Sequence, residues 1–277
     1  MSADWRQLDT ADAYKKFCAD HGRYADSSRW LVDALVREVG VDGTRYLDWA
    51  AGTGVTSTAL AHALARQKNT SVTPEITAFE PSPAMSQYHP ATRALRCEGV
   101  RWRLCQQLPP AMGLGFQGIV GNSMWWLLQD PVAELSRLTP WMTADAVVAW
   151  STPALYCGTP PSAAETAFSI AFNEVRVAVG APVVAVDSTD DWTGPLDPVA
   201  VFQTAGWDIC HDGLQRRSCT AAEWLAHTLL PPVRPPWLRA LAPAAATEVV
   251  GAAKTAMAQL PAAPQEWRIT VARRRAG

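Results

Sequence analysis

The sequence contains no apolar run of the roughly 18 to 20 residues that a membrane-spanning helix needs, because charges, prolines or polar side chains interrupt every candidate. It also lacks an excess of either charge. Twenty-four basic side chains face twenty-six acidic ones, a net charge of −2, so no positive field is available to hold nucleic acid or an anionic membrane. Small or apolar molecules are the expected partners. No C-x-x-C pair occurs among the six cysteines (Cys18, Cys97, Cys105, Cys157, Cys210 and Cys219), so buried thiols are expected and a zinc site or other metal centre is not. Met1-Ser-Ala-Asp-Trp-Arg6 has no basic stretch leading into an apolar one, which makes export unexpected and a soluble, cytoplasmic protein the expectation. With 48% apolar and 18% charged residues, the 277-residue chain is outside the disordered, collagen-like and coiled-coil classes. The excess is in tryptophan. Thirteen of them suit a Trp-rich core or a pocket for a large apolar ligand.

Residues 1 to 40 carry two amphipathic helical patterns: Trp5, Leu8, Ala11, Tyr14 and Phe17 at spacings of three, then Leu31, Leu35 and Val39 at spacings of four. Gly43-Thr44 breaks the second. Arg45 to Trp49 reads as a strand, followed by a Gly-containing turn and an Ala/Leu-rich helix from about Val55 to Arg66. The unit then repeats: a strand at Ile76 to Glu80, Pro81-Ser-Pro83, and a helix from about Ala84. Further strands are predicted at Val100 to Leu104, Gly118 to Asn122 and Ala144 to Trp150, with a helix after Asp130-Pro131. Such alternation predicts an α/β fold with a mostly parallel sheet covered by helices on both faces. Beyond residue 153 the pattern predicts helices at Ser162 to Val179, Pro198 to Ala205 and Ala244 to Leu260, and a closing strand at Trp267 to Ala272. Trp207 to Cys210 and Arg216 to Thr220 read as two strands or a hairpin, and Thr220-Ala-Ala-Glu223 as a capping box opening a helix through Leu230.

The segment richest in chemistry is Tyr46-Leu-Asp-Trp-Ala-Ala-Gly-Thr-Gly54. An acidic residue sits at the end of the strand, and Gly52 and Gly54 let the backbone turn tightly and approach a ligand that any Cβ would push away. A dinucleotide site begins in the same way, but the third glycine of G-x-G-x-x-G is replaced by Ser57, and a carboxylate at Asp48 repels a diphosphate. A cationic ligand suits Asp48 better. Glu80, 32 residues further along and at the end of the second strand, is placed to accept both hydroxyls of a ribose.

D-x-A-x-G-T-G in the first strand-turn-helix, followed by E-P-S-x-x-M after the second strand, resembles the class I S-adenosylmethionine-dependent methyltransferases. The resemblance runs over residues 40 to 153. It implies a Rossmann-like sheet of seven strands, mostly parallel, with added N-terminal and C-terminal helical segments and S-adenosyl-L-methionine lying across the carboxyl ends of strands one to four. On this reading Asp48, Ala50, Gly52, Gly54, Glu80, Pro81, Gln106 and Asn122 are the candidate cofactor residues. Gln106 stands where the family usually carries an acid near the adenine amino group; its amide oxygen can accept from that group. A single domain is expected, with 1–40 as a helical lid, 41–153 as the cofactor-binding core and 154–277 framing the substrate.

Gly121-Asn-Ser-Met-Trp-Trp126 follows the fourth strand, beside the expected place of a transferable methyl. Trp125 and Trp126 are the candidate substrate-binding residues, as platforms for a flat ring or a sulfonium. His21, in the lid, and His211, in the C-terminal region, are the candidate acid-base histidines. The expected activity is methyl transfer to a small, largely apolar or aromatic molecule, such as a secondary metabolite. The rivals are an enzyme of the same fold that closes or rearranges a ring without methylating, a non-catalytic binding or partner subunit, and a nicotinamide oxidoreductase, the last disfavoured by Ser57 and Asp48.

Overall fold

The computed structural model describes residues 3–40, 44–66, 72–93, 99–108, 115–125, 128–181 and 195–275. Seven strands form one sheet: β1 Arg45–Trp49, β2 Glu75–Phe79, β3 Arg101–Cys105, β4 Phe116–Asn122, β5 Met142–Pro153, β6 Trp207–Cys219 and β7 Ala263–Arg274. Their order is β3-β2-β1-β4-β5-β7-β6, with β7 antiparallel to both of its neighbours and the other pairs parallel. This is the mostly parallel seven-stranded sheet expected from the sequence. The order reverses between β1 and β4, and in an open sheet the carboxyl edge at that switch point is where ligands bind.

Strand alternation sends Tyr46 to one face of the sheet and Leu47 and Trp49 to the other. On the first face Tyr46, Val120, Val147 and Ala149 pack under α2 (Arg23–Val39) and α3 (Val55–Arg66), meeting Leu31, Val32, Leu35, Leu60 and Leu64. On the second face Leu47, Ile119, Val148 and Trp150 pack with Trp125, Phe202 and Trp207 beside α5 (Pro131–Leu138) and α7 (Pro198–Thr204). The segment expected as a lid over residues 1–40 is therefore of two kinds. Helix α1 (Leu8–Asp20) lies outside the main core, whereas α2 is one of the helices that cover the sheet.

A third cluster is built from α6 (Ala163–Ala178), α8 (Ala221–Thr228), α9 (Pro236–Arg239) and α10 (Pro243–Met257), through Phe168, Phe172, Leu225, Leu238 and Val249. Between α3 and α5 the short α4 (Pro83–Ser86) is capped by Ser82, whose Oγ accepts from Met85 N.

Two local readings differ from the structure. The residues read as two strands or a hairpin form the single strand β6, 13 residues long and paired with β7 along its length, with an irregularity between Ile209 and His211. The box at Thr220 is only half built. Glu223 N donates to Thr220 Oγ1, but the Glu223 carboxylate is drawn away by Arg217, whose Nη2 lies 2.9 Å from Oε2. The reciprocal box instead opens α6, where Ser162 and Glu165 cap one another. No helix among the described residues is long and apolar enough to cross a membrane.

Candidate active site at the carboxyl edge of the sheet

Glu80 follows β2 directly, and its carboxylate is held by two backbone donors, with Gly52 N 2.7 Å from Oε2 and Ser82 N 2.7 Å from Oε1. Both donors come from turns at the same sheet edge. Burial raises the Glu80 carboxyl above its usual range, and the two N–H groups oppose that shift. Glu80 borders a cavity of about 80 Å³ walled also by Trp5, Tyr14, Tyr24, Ala50, Gly52, Met85, Asn122, Ser123, Met124, His227 and Val233. This is the switch-point position, with residues from the ends of β1, β2 and β4 meeting a C-terminal helix.

The backbone around the cavity is under local constraint. Ala50 and Ser123 both hold positive φ, 58° and 55°, and both lie in the wall. Gly52, at φ 55°, has nothing nearer its missing Cβ than Tyr14 Cε1 at 3.8 Å, so its bare backbone leaves the cavity floor open. Gly54 serves a different purpose. At φ 89° a Cβ there would collide with Pro90 and lie 2.7 Å from His89 Cδ2, so this glycine admits the segment after α4 rather than a ligand.

Asp48 is 1% exposed and is not in the cavity wall. It shares the sheet face of Tyr46, toward α3, and Ser57 Oγ donates to its Oδ2 at 2.5 Å. His89 continues the chain. Ala91 N donates to His89 Nδ1, which leaves the proton on Nε2, and Nε2 donates to Ser57 Oγ at 3.0 Å. Burial pushes the Asp48 carboxyl up to about 7, the Ser57 hydroxyl opposing, and pushes His89 down to about 4. The serine that departs from the three-glycine pattern thus ties the end of β1 to α3.

Asn122 reaches the wall, but its amide is committed to protein partners. Nδ2 donates to Ser28 Oγ at 2.8 Å and Ser27 Oγ at 3.1 Å, and Oδ1 accepts from Ser151. Of the remaining cofactor candidates, Ala50 lies in the wall, whereas Pro81 and the surface residue Gln106 do not; Gln106 Nε2 donates to Ser86 Oγ. Trp125 is wholly buried in the core, its ring centroid 4.5 Å from that of Trp150, and forms no part of the wall. Trp126 lies outside the described residues. His21 packs on the Phe17 ring and His211 sits on β6; neither borders the cavity.

The histidine that does border it is His227, on α8. Its Nε2 lies 3.2 Å from the Tyr24 hydroxyl. Burial holds His227 well below its usual range, so it is neutral and accepts from Tyr24, whose phenol burial pushes up to about 12. Sequence spacing carried no sign of this pair, whose members are 203 residues apart. The outer wall is the N-terminal segment. Ser82 Oγ donates to Trp5 O at 3.1 Å, Tyr14 lies beside Gly52, and Tyr88 hydrogen-bonds Asp12. A wider hollow of about 350 Å³ opens beyond Gly54, between α2 and α3, but its wall carries no acid and almost no polar surface.

No protein-family model matches the chain, and no curated protein matches it in sequence. Solved structures do match. A protein described as a candidate methyltransferase of Bacillus halodurans aligns over 87% of this chain and 97% of its own, with 11% identity and a TM-score of 0.50. The YcgJ protein of Bacillus subtilis aligns over 89% and 98%, with 12% identity and a TM-score of 0.50. Likeness at this level of identity concerns the fold. The chain has the Rossmann-like fold of the class I methyltransferases.

Proposed function

We propose that the chain is an S-adenosylmethionine-dependent methyltransferase acting on a small, largely apolar or aromatic molecule. The observation that carries this reading is Glu80. It is a buried carboxylate fixed by the N–H groups of Gly52 and Ser82 at the end of β2, and it borders the cavity. Each of its oxygens keeps acceptor capacity beyond its one backbone bond, which fits the two vicinal hydroxyls of a ribose. The open side of Gly52 fits the same ligand, since it leaves space where a side chain would stand.

When bound, the cofactor supplies a methyl group activated by a positive sulfur. The remaining work falls to the chain's own residues. Glu80 holds the ribose end, Ala50 and Gly52 form the floor, and Trp5 and Tyr14 close the outer side against water. The cavity is smaller than the about 300 to 1,000 Å³ usual for small-molecule sites, so this outer wall yields when a ligand enters. Tyr24, Met124 and Val233 offer apolar surface to an acceptor, and the Tyr24 hydroxyl, backed by neutral His227, orients its reacting group by hydrogen bonding. Positioning of this kind supplies up to about 7 to 11 kcal/mol of the barrier reduction in bimolecular reactions.

Native mass spectrometry of the purified protein tests the reading. Retained S-adenosylmethionine or S-adenosylhomocysteine, lost in Glu80→Ala, is the expected result. A retained nicotinamide dinucleotide, or an empty protein whose melting temperature S-adenosylhomocysteine does not change, overturns it.

A further inference from the structure

Tyr24 on α2, Ser123 just past β4 and His227 on α8 all border the cavity and form one hydrogen-bonded group. Their bonds run in one direction. The Tyr24 hydroxyl has a single proton, and it goes to His227 Nε2 at 3.2 Å. The Ser123 side chain hydrogen-bonds the same phenol oxygen, and with the phenol proton already placed, serine is the donor of that pair. Asn122, beside Ser123 in the wall, has its amide committed to Ser27, Ser28 and Ser151. What remains on this side of the cavity is lone pairs on the Tyr24 and Ser123 oxygens. Its described side chains therefore accept hydrogen bonds from a ligand rather than donate them.

We propose that Tyr24 and His227 select a substrate whose reacting group is a neutral hydroxyl, as in a phenol, and that His227 takes up the proton this hydroxyl loses, by way of Tyr24. This rests on the methyltransferase reading and names the substrate class of the same site. Topology puts the pair at the acceptor end. Their partner Ser123 follows β4, on one side of β1, whereas Glu80 follows β2 on the other. A carboxylate would bring only acceptor oxygens to a wall that offers lone pairs, and the described wall has no arginine or lysine to meet its charge. A neutral amine needs no base, since it attacks through a free lone pair and sheds its proton afterwards. A hydroxyl must lose its proton as its oxygen bonds to the methyl carbon. In that step the oxygen–carbon bond forms and the carbon–sulfur bond of the cofactor breaks, its electron pair staying on sulfur. The hydroxyl proton passes to the Tyr24 oxygen while the Tyr24 proton passes to His227 Nε2, so the tyrosine ends neutral, as it began. The imidazole gains the positive charge that the sulfur gives up, and no net charge is created in the cavity. Burial, aided by the charge of Arg23, keeps His227 neutral beforehand, which is the form able to accept.

The probes are phenol, anisole and sodium benzoate, single rings that offer a donor, a neutral acceptor and a charged acceptor. Each is titrated calorimetrically into the wild type, Tyr24→Phe, His227→Gln and His227→Leu, with and without S-adenosylhomocysteine. Phenol is expected to bind the wild type at least about fivefold more tightly than either other probe, the size of one neutral hydrogen bond. Tyr24→Phe should lose that preference. His227→Leu frees the Tyr24 proton to turn into the cavity and should shift the preference toward anisole and benzoate. His227→Gln, whose amide oxygen can accept from Tyr24, should restore the preference for phenol, a rescue that a merely structural histidine would not show. In a single turnover with S-adenosylmethionine and phenol, His227→Gln should be at least about a hundredfold slower than wild type at unchanged phenol affinity, because an amide cannot take the proton. Equal binding of phenol and anisole to wild type, or no binding of any probe, overturns the proposal. So does an undiminished preference in Tyr24→Phe and His227→Leu, a wild type that does not turn phenol over, or an equal rate in His227→Gln. Failure of all three variants to fold would make the pair a structural strut and overturn the proposal as well. The probe titrations without S-adenosylhomocysteine are read independently of cofactor binding, so failure of the methyltransferase reading shows separately, as a wild type that ignores S-adenosylhomocysteine.

Discussion

The Ser57 hydroxyl donates to Asp48 Oδ2 at 2.5 Å beneath the glycine turn, and His89 donates to the same hydroxyl from the other side. Three separate segments are pinned there: the end of β1, the first turn of α3 and the stretch after α4. The carboxylate at the end of β1 is therefore spent inside the protein. Burial raises it to about 7 from its ordinary value of 3.8.

A group whose folded-state value is raised contributes stability that is present below about pH 4 and is lost as the pH rises through 7. Asp48→Asn keeps the acceptor for Ser57 and removes the ionisation. Relative to wild type it should gain on the order of 2 kcal/mol of unfolding free energy between pH 5 and pH 8. Urea unfolding at the two pH values measures this. The affinity for S-adenosylhomocysteine should stay within about twofold, because Asp48 is not in the cavity wall. A tenfold loss of affinity would instead place Asp48 on the ligand.

The two glycines of the turn separate packing from binding. Gly54→Ala drives a methyl group into Pro90 and His89 at a positive φ, and should cost at least about 3 kcal/mol of stability. Gly52→Ala meets no close atom, so its cost is the strain of positive φ alone, about 1 to 2 kcal/mol. That methyl group would occupy ligand space. Denaturation and ligand titration of both variants should show Gly54→Ala as the unstable one and Gly52→Ala as the one that still folds but binds poorly.

Trp125→Ala should lower stability by about 3 to 5 kcal/mol, the usual cost of a large aromatic truncation in a core, since the indole is fully buried against Trp150. Activity per folded molecule should hardly change. A variant of near wild-type stability with a raised Michaelis constant would move Trp125 back to the substrate side.

The first half of the fold was legible in the sequence because local signals agree there. Arg45–Trp49 and Val55–Arg66 have the expected limits, since a glycine turn separates a short apolar strand from an Ala/Leu-rich helix. β6 was not legible as one strand. Its face toward solvent and its half-covered face both carry polar side chains, and Gly213 interrupts the run, so no apolar alternation marks its 13 residues. Glu80, Gly52 and Ala50 were recognisable because each follows a parallel strand at the edge where ligands gather. Asp48 was not, because its direction depends on Ser57, a partner chosen by the packing of α3. His227 and Tyr24 were invisible for a stronger reason: neither belongs to a motif, and only the closing of α8 over α2 and β7 brings them together at 3.2 Å.

Calorimetric titration of S-adenosylhomocysteine into the wild type, Glu80→Gln and Glu80→Ala at pH 8 tests the proposed site most directly. The wild type should bind with micromolar or tighter affinity. Glu80→Ala should lose at least about 1.5 kcal/mol, roughly tenfold, with the acceptor for the ribose hydroxyls, and Glu80→Gln, which keeps one neutral acceptor, should fall between. No heat with wild type, or equal affinities across the three proteins, would contradict the assignment of Glu80 and with it the proposed site.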